Sequence, residues 1–297
     1  MQSVQQHCLN AVRTSDWEGY VSSLFVLPRG RDAVFAVRAF NCEVAAVRDS
    51  VARSAHEETI AKMRFKFWRD LVDGVYANKP INHHVAQSLA AALDQGAPLS
   101  KQFLHRIISA READFTSNSL YPTTDALEKY AEQTQSSLLY LQLEACGVQN
   151  YKVDHIASHI GKAIGIATVL RSTPVHVPNR QLYLPSELMT KFLKRAPKHN
   201  LSSEDVFRSG PSEKLADIVF ELASLADNHL YTARAEIEEM KEQFPQIAVP
   251  ALLSAIACDN YLKRLESVQF DVFNPRLRTR NWKLLYNLWK HNRSGKL

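Results

Sequence analysis

Hydrophobic residues recur at helical spacing along most of this chain, and the pattern predicts an all-α fold. The clearest example is residues 33–50, which we predict to form one long buried helix. Apolar side chains there alternate at spacings of three and four residues, which places them on the face of a helix that turns toward a core. They are Val37, Phe40, Val44, Val47 and Val51.

The same spacing predicts helices in other parts of the chain. Their expected limits are 3–14, 57–76, 84–93, 99–114, 124–146, 154–171, 211–243 and 247–266. Proline removes a backbone donor and clashes with the preceding turn, so prolines after residue 171 argue against a continued helix. We therefore expect residues 173–200 to form the longest loop. Its prolines are Pro174, Pro178, Pro185 and Pro197.

The face beside the apolar stripe of residues 33–50 carries Arg38, Cys42, Ala45 and Asp49. Acidic residues one helical turn apart can share a magnesium ion through their oxygen atoms, and that ion can bind a diphosphate. The residue one turn before Asp49 is Ala45, so this face offers a single carboxylate. One carboxylate cannot hold several magnesium ions against a diphosphate.

Residues 33–50 resemble the first aspartate-rich helix of the squalene/phytoene synthase family. That helix follows the pattern Ala-aliphatic-Tyr-Ala-x-x-Ala-Phe-x-Arg-x-x-Asp-Asp-x-x-Asp. The matching positions are Ala33, Phe35, Ala36, Ala39, Phe40 and Asp49. Ala45 and Ala46 stand where the family has adjacent aspartates, and Cys42 stands at the position of its arginine.

A second stretch, residues 156–185, resembles the other acidic motif of the family, which leads into a Tyr-Leu-Pro. The retained positions are Gly161, Ala163, Leu170, Arg171, Tyr183, Leu184 and Pro185. Ser172 and His176 stand at the two aspartate positions of this motif. A serine hydroxyl is a weak neutral ligand and imidazole is a poor ligand for magnesium, so neither residue preserves the chemistry.

The resemblance spans about residues 20–285 and implies a single-domain, isoprenoid-synthase-like helical bundle around a central cavity. It implies a pseudoenzyme of that family, with no catalytic residue, no metal and no cofactor. Asp114 is either a further residue of the wall of the old pocket or part of a solvated helix end. The vestigial pocket positions are Ala45, Ala46, Asp49, Ser172 and His176.

The composition of the 297 residues, 45% hydrophobic and 23% charged, is that of a folded protein. No glycine-, serine- or proline-rich linker interrupts the sequence, so we expect one domain over residues 1–297, with 274–297 as a basic, aromatic tail. No apolar run approaches the roughly 18 residues that a membrane-spanning helix requires. Four widely separated cysteines favour a reducing compartment, and no targeting segment is evident.

The tail interleaves basic residues with tryptophans. This combination favours an interfacial helix on anionic lipid, a docking surface for a protein partner, or a packed terminal helix with an ordinary charged face. Nucleic acid binding is not expected, because no recognised motif accompanies the formal net charge of +5. The residues of this membrane or partner surface are Arg278, Arg280, Trp282, Lys283, Trp289 and Lys290.

Two patterns in residues 154–172 bear on packing and metal binding. Gly161, Gly165, Thr168 and Ser172 form a stripe of small side chains, which predicts a seam where another helix approaches closely. His155 and His159 are one helical turn apart, as in a metal-binding pair. No Glu follows the first His and no third ligand is evident, so we expect a structural role for both.

The run Ala-Phe-Asn-x-Glu-x-Ala-x-Val-x-Asp-Ser at residues 39–50 resembles one non-catalytic branch of the family, the mitochondrial complex I assembly factors. This implies an assembly factor or chaperone in early complex I biogenesis, with complex I subunits or other assembly factors as partners. The implied location is peripheral, on the matrix side of the mitochondrial inner membrane. The alternatives are a prenyl-diphosphate-condensing transferase with altered metal ligands and a lipid- or isoprenoid-binding protein.

Overall fold

A computed structural model describes residues 4–51, 56–117, 121–195 and 202–297 of the protein. Within these ranges the chain forms helices and no strand, which confirms the all-α prediction. The helices of the N-terminal part are α1 (Val4–Ser15), α2 (Trp17–Ser23), α3 (Pro28–Ala45), α4 (Val47–Val51), α5 (Glu57–Tyr76), α6 (His84–Asp94) and α7 (Lys101–Ser117).

The second part of the chain contains the two longest helices. The helices there are α8 (Thr124–Ala131), α9 (Ser137–Ala145), α10 (Tyr151–His176), α11 (Ser186–Arg195), α12 (Ser203–Ser209), α13 (Glu213–Met240), α14 (Val249–Leu252), α15 (Ser254–Ser267) and α16 (Leu284–Ser294). A π-helical segment, Glu132–Ser136, joins α8 to α9. Short 3₁₀ turns occupy Val177–Asn179, Lys241–Gln243, Gln246–Ala248 and Pro275–Arg278.

The helix predicted over residues 33–50 is correct in its buried face and wrong in its continuity. All five residues of its apolar stripe are buried. The helix begins earlier, because Pro28 occupies the first position of α3, where the missing N–H breaks no helical hydrogen bond. It is interrupted at Ala46, so Asp49 lies on the separate short helix α4.

The prediction of a long loop over residues 173–200 is wrong. Helix α10 continues through Pro174 to His176, and α11 fills much of the remainder. Pro174 lies in the last turn of α10, where its missing N–H deprives only the Leu170 carbonyl of a helical partner. The buried Thr173 hydroxyl donates to the Val169 carbonyl at 3.0 Å and supports this turn. Residues 196–201 of the predicted loop lie outside the described residues.

The predicted seam of small residues is confirmed for the two glycines of α10. A Cβ atom on Gly161 would lie 2.5 Å from the backbone nitrogen of Ser136 in the π-helical segment. A Cβ atom on Gly165 would lie 2.3 Å from the Cβ of Ala131 at the end of α8. The absence of side chains at both positions therefore allows α10 to approach these segments closely.

The hydrophobic core surrounds α3 and α10. Helix α3 packs against α1, α6 and α9, whereas α10 packs against α8, α13, α15 and the π-helical segment. Trp68 of α5 is buried and meets Phe40 of α3 edge to face, with ring centroids 5.6 Å apart. No helix among the described residues has the length and apolar content to cross a lipid bilayer. The assignment of one domain with a tail at 274–297 stays a prediction.

Candidate functional site

A cavity of about 480 Å³ lies between α3, α4, α7, α10 and α15. The apolar stripe of α3 faces away from it into the core, and the neighbouring face of α3 lines it. Asp114 lines the cavity, which favours the pocket wall over a solvated helix end for this residue. The structure also brings all five predicted pocket positions to its wall, namely Ala45, Ala46, Asp49, Ser172 and His176. Their interpretation as vestigial remains a prediction.

Three of the four carboxylates that line the described cavity are paired with arginines. Arg38 Nη1 lies 2.7 Å from the Asp16 carboxylate, and Arg38 Nε donates to the Gln142 side-chain oxygen at 3.1 Å. Arg171 Nη1 lies 2.6 Å from the Glu18 carboxylate. The third pair is Arg48 with Asp114. Each pairing uses carboxylate oxygens that a metal ion would otherwise require.

The Arg48 and Asp114 pair is reinforced by two tyrosines. Arg48 Nη2 lies 2.5 Å from Asp114, and its Nη1 donates to the Tyr183 hydroxyl at 2.5 Å. The Tyr121 hydroxyl donates to the other Asp114 oxygen at 2.8 Å. Burial and the Asp114 charge raise the pKa of Tyr121, so its phenol stays protonated. Burial opposes the charge on Arg48, but Asp114 and the surrounding tyrosine hydroxyls together outweigh it, and the pKa of Arg48 is raised.

Asp49 forms no hydrogen bond or ion pair with the described residues. Its nearest candidate co-ligands do not offer magnesium an oxygen-rich site. The Ser172 hydroxyl donates to the Val169 carbonyl of its own helix at 3.1 Å. The His176 ring packs edge to face on Tyr183, with centroids 4.9 Å apart, and burial lowers the pKa of His176. Helix α10 therefore supplies a hydroxyl and a neutral imidazole to the cavity wall, and no carboxylate at these two positions.

A positively charged group without a carboxylate partner also lines the cavity. Arg111 donates from Nη2 to the side-chain oxygen of Asn41 at 2.8 Å. Its Nε is buried and has no hydrogen-bond partner among the described residues. A partly buried guanidinium with an unused donor is suited to bind an anionic group that enters the cavity.

The two cysteines of the cavity are not suited to nucleophilic chemistry. Burial raises the pKa of Cys42 to about 12, and burial raises the pKa of Cys258 to about 12 as well. The thiolate is the reactive form of cysteine, so both side chains are unreactive thiols near neutral pH.

A sequence model described as squalene/phytoene synthase matches residues 12–283. The chain belongs to the squalene/phytoene synthase family. The NADH dehydrogenase (ubiquinone) complex I, assembly factor 6 of Bos taurus is 39% identical over 284 residues, which cover 96% of this chain and 80% of that protein. The Homo sapiens protein of the same name is 39% identical over 275 residues, which cover 93% of this chain and 78% of that protein.

A solved structure shows the fold of this family member. The crystal structure of a dehydrosqualene synthase in complex with ligand has a TM-score of 0.79 and 17% sequence identity, and the match covers 98% of this chain and 97% of that chain. The isoprenoid-synthase-like helical bundle predicted from the sequence is therefore confirmed.

Sequence reasoning missed the arginine pairs of this squalene/phytoene synthase family member. It placed Arg38 on the cavity face and Arg171 in a family motif, but it assigned neither a carboxylate partner. Arg48 was not singled out, because its partner Asp114 lies 66 residues away and on another helix. The position of Arg48 directly before Asp49, the single retained aspartate, was the feature of the sequence that could have indicated its place in the cavity.

The predicted tail surface forms an exposed patch on α16 and the turn before it. The side chains of Leu284 and Leu288 are buried and hold α16 against α15. The opposite side exposes Trp282 at 82% and Trp289 at 48% of their surface. Cations lie over these rings and the nearby Trp17. The pairs are Lys283 with Trp282, Arg293 with Trp289 and Arg280 with Trp17.

The structure places a candidate third ligand, which was not evident in the sequence, beside His155 and His159, and the structural role expected for both histidines stays a prediction. Glu236 of α13 places a carboxylate oxygen 2.9 Å from His155 Nδ1. Ligand atoms of His155, His159 and Glu236 all lie within 4.8 Å of one another. Local spacing could not indicate this cluster, because Glu236 lies 81 residues after His155.

Proposed function

We propose that this chain is a non-catalytic member of the squalene/phytoene synthase family that assists the assembly of mitochondrial respiratory complex I. The observation that carries the proposal is the 39% identity, over 96% of the chain, to a complex I assembly factor 6. Its partners are then complex I subunits or other assembly factors. The helical shell binds these proteins and needs no turnover in its cavity.

The chemistry of the cavity supports a pseudoenzyme. A magnesium–diphosphate site needs several carboxylates whose oxygens are free to bind the ions. Arginines hold three of the cavity carboxylates, and Asp49 remains as one carboxylate beside Ala45 and Ala46. The residues of this cavity therefore do not fit the metal cluster of a prenyl-condensing enzyme.

Asp49→Ala separates the assembly function from an enzymatic one. In cells from which the protein has been removed, both the wild type and Asp49→Ala are expected to restore assembled complex I to the same level on native gels. The purified chain, given magnesium and labelled prenyl diphosphates, is expected to form no condensation product. Turnover that Asp49→Ala abolishes would overturn the proposal, as would failure of the wild type to restore complex I.

The tail supports a peripheral location on the matrix face of the mitochondrial inner membrane. Exposed tryptophan rings bind at the headgroup boundary, and neighbouring cations bind the phosphates of anionic lipids. The patch defined by Trp282, Lys283, Tyr286 and Trp289 combines both features on α16 and the turn before it. We assign this patch to binding of the lipid surface. If the patch does not bind lipid, docking of a protein partner is the alternative.

A second candidate function is binding of a lipid or isoprenoid with an anionic head. Its support is the retained cavity of about 480 Å³ and the unused Arg111 donor within it. Mass spectrometry of lipid extracted from the purified protein tests this function. A bound species that Arg111→Met releases supports it, and a protein without extractable lipid contradicts it.

A further inference from the structure

The longest helices of the protein, α10 and α13, pack against each other and bring together a cluster of histidines. His155 and His159 lie one turn apart on α10, and His229 and Glu236 lie two turns apart on α13. None of these four residues lines the central cavity. The cluster is therefore separate from the position at which related enzymes would carry out their chemistry.

The ligand atoms of the cluster are already close to metal-binding distances. His155 Nδ1 lies 2.9 Å from the Glu236 carboxylate, and His159 Nδ1 lies 2.9 Å from His229 Nδ1. Zinc–ligand bonds of about 2.0–2.1 Å in a tetrahedral site place the ligand atoms about 3.3 Å apart. Both observed separations are shorter than this value. The ligand atoms of His155, His159 and Glu236 all lie within 4.8 Å of one another, and His229 adjoins this group through its contact with His159, so rotation of the side chains is needed to surround an ion.

The facing nitrogens of His159 and His229 indicate what an ion would replace. Two imidazole nitrogens at hydrogen-bond distance need a shared proton, because two lone pairs repel each other. A metal ion in place of that proton would bind both lone pairs and remove the repulsion.

A carboxylate lies behind the His229 ring. Glu128 Oε2 lies 3.3 Å from His229 Nε2 and 3.8 Å from Lys162 Nζ. His229 Nε2 is buried and makes no hydrogen bond with the described residues. Metal-binding histidines commonly have a carboxylate behind the ring, and a rotation of the ring that brings Nδ1 to an ion would let Nε2 donate to Glu128.

We propose that His155, His159, His229 and Glu236 form a transition-metal site that links α10 to α13, with zinc as the ion that fits the donor set. Three imidazole nitrogens and one carboxylate suit zinc in tetrahedral geometry, whereas magnesium and calcium require oxygen ligands. The ion cross-links the two helices and raises the stability of the folded protein. The proposal does not depend on the assembly function.

Zinc binding by the purified full chain tests the site. The chain is freed of metal with a chelator and titrated with zinc in competition with a chromogenic chelator. The wild type is expected to bind one equivalent, and His159→Ala and His229→Ala are expected to weaken binding at least tenfold. His105→Ala is the matched control, because this histidine pairs with Asp73 outside the cluster, and it is expected to leave binding unchanged.

Two further measurements separate a metal site from a purely structural cluster. Cobalt is expected to give the intense visible absorption of a tetrahedral site in the wild type and to lose it in Glu236→Gln, whose amide keeps a hydrogen-bond acceptor for His155. Zinc is expected to raise the melting temperature of the wild type and of His105→Ala, but not of His159→Ala.

Folding of each variant is followed by circular dichroism. If His159→Ala or His229→Ala does not fold, His155→Ala replaces it, because the His155 side chain is 62% exposed. Absence of a stoichiometric zinc equivalent in the wild type overturns the proposal. Equal binding by the wild type and all folded cluster variants also overturns it, since zinc would then be an adventitious ion only.

Discussion

The guanidinium of Arg48 lies 2.5 Å from the carboxylate of Asp114, and both groups line the central cavity. Arg48 comes from α4, just after the interruption at Ala46, and Asp114 comes from α7. The pair thus connects two walls of the cavity through protein groups alone. In a cavity that held metal ions, a carboxylate at this position would instead be available to the ions.

Asp114→Asn is expected to destabilise the protein. The change leaves the half-buried Arg48 charge without its counter-ion while preserving the shape of the side chain. Removal of one partner from a largely buried pair costs about 2–3 kcal/mol after allowance for its partial exposure. Urea denaturation measures the change in the free energy of unfolding.

Glu58→Gln is the matched control for Asp114→Asn. It removes one partner of the exposed Glu58–Lys62 pair on α5 and is expected to leave the free energy of unfolding essentially unchanged. An equal loss of stability in both variants would contradict the structural role assigned to the Arg48 and Asp114 pair.

Gly161→Ala is expected to destabilise the protein, although alanine is usually the better residue inside a helix. An exposed helical glycine replaced by alanine gains roughly 1 kcal/mol. Here the new methyl group meets the backbone of Ser136, and overpacking costs about 1–3 kcal/mol. Thermal unfolding shows whether the substitution lowers or raises the melting temperature. Lys152→Ala, at an exposed position of the same helix, is the control and is expected to change the melting temperature little.

The sequence predicted the helices and the close seam because both depend on local spacing. The stripe from Val37 to Val51 needs only the helical period, and Gly161 needs only the absence of a side chain. The same local reasoning failed at Pro174. Packing of Val169, Leu170 and Thr173 in the core extends the helix past a residue that local propensity predicts to end it.

The polar chemistry of the cavity could not be predicted because it depends on pairs that are distant in sequence. The sequence placed Asp49, Ser172 and His176 in one pocket through their resemblance to family motifs. It could not reveal that Arg48 binds Asp114, since no local sequence pattern at either residue indicates which distant residue lies beside it. The histidine cluster escaped prediction for the same reason, because α13 supplies half of it.

Stability at acidic pH is expected to depend on Glu132. Burial alone raises the pKa of this carboxyl. Hydrogen bonds from Ser158 and Tyr140, each 2.6 Å long, together with Ser136 and the Lys162 charge, outweigh burial and lower it. Because the pKa of Glu132 is lower in the folded state, its carboxylate stabilises the fold above the ordinary pKa of 4.5. This stabilisation is lost as the pH falls through the folded-state pKa.

Glu132→Gln is therefore expected to lower the free energy of unfolding by about 1–2 kcal/mol at pH 7 and by less as the pH falls below 4.5. Denaturant titrations at pH 7, 5, 4 and 3 measure the difference. Ser158→Ala removes one of the donors to Glu132 and is expected to give the same trend with a smaller amplitude. A difference between wild type and Glu132→Gln that is constant across pH would rule out this account.

Binding to anionic membranes is expected to depend on the tail tryptophans. Replacement of Trp282 and Trp289 with Ser removes the two exposed rings but leaves Leu284 and Leu288 to hold α16 in place. The double variant is expected to stay in the supernatant when cardiolipin-containing liposomes are sedimented, whereas the wild type pellets with them. Circular dichroism is expected to show unchanged helicity.

Tyr151→Ser provides the control for this membrane prediction. Tyr151 is 78% exposed, but it begins α10 and lies outside the tail, so its loss is expected to leave sedimentation unchanged. Neutral phosphatidylcholine liposomes separate the contribution of charge, because the cations beside the rings bind anionic headgroups and are screened by salt. If the double variant pellets with cardiolipin liposomes as the wild type does, the patch on α16 does not bind lipid, and a protein partner becomes the better assignment for these tryptophans.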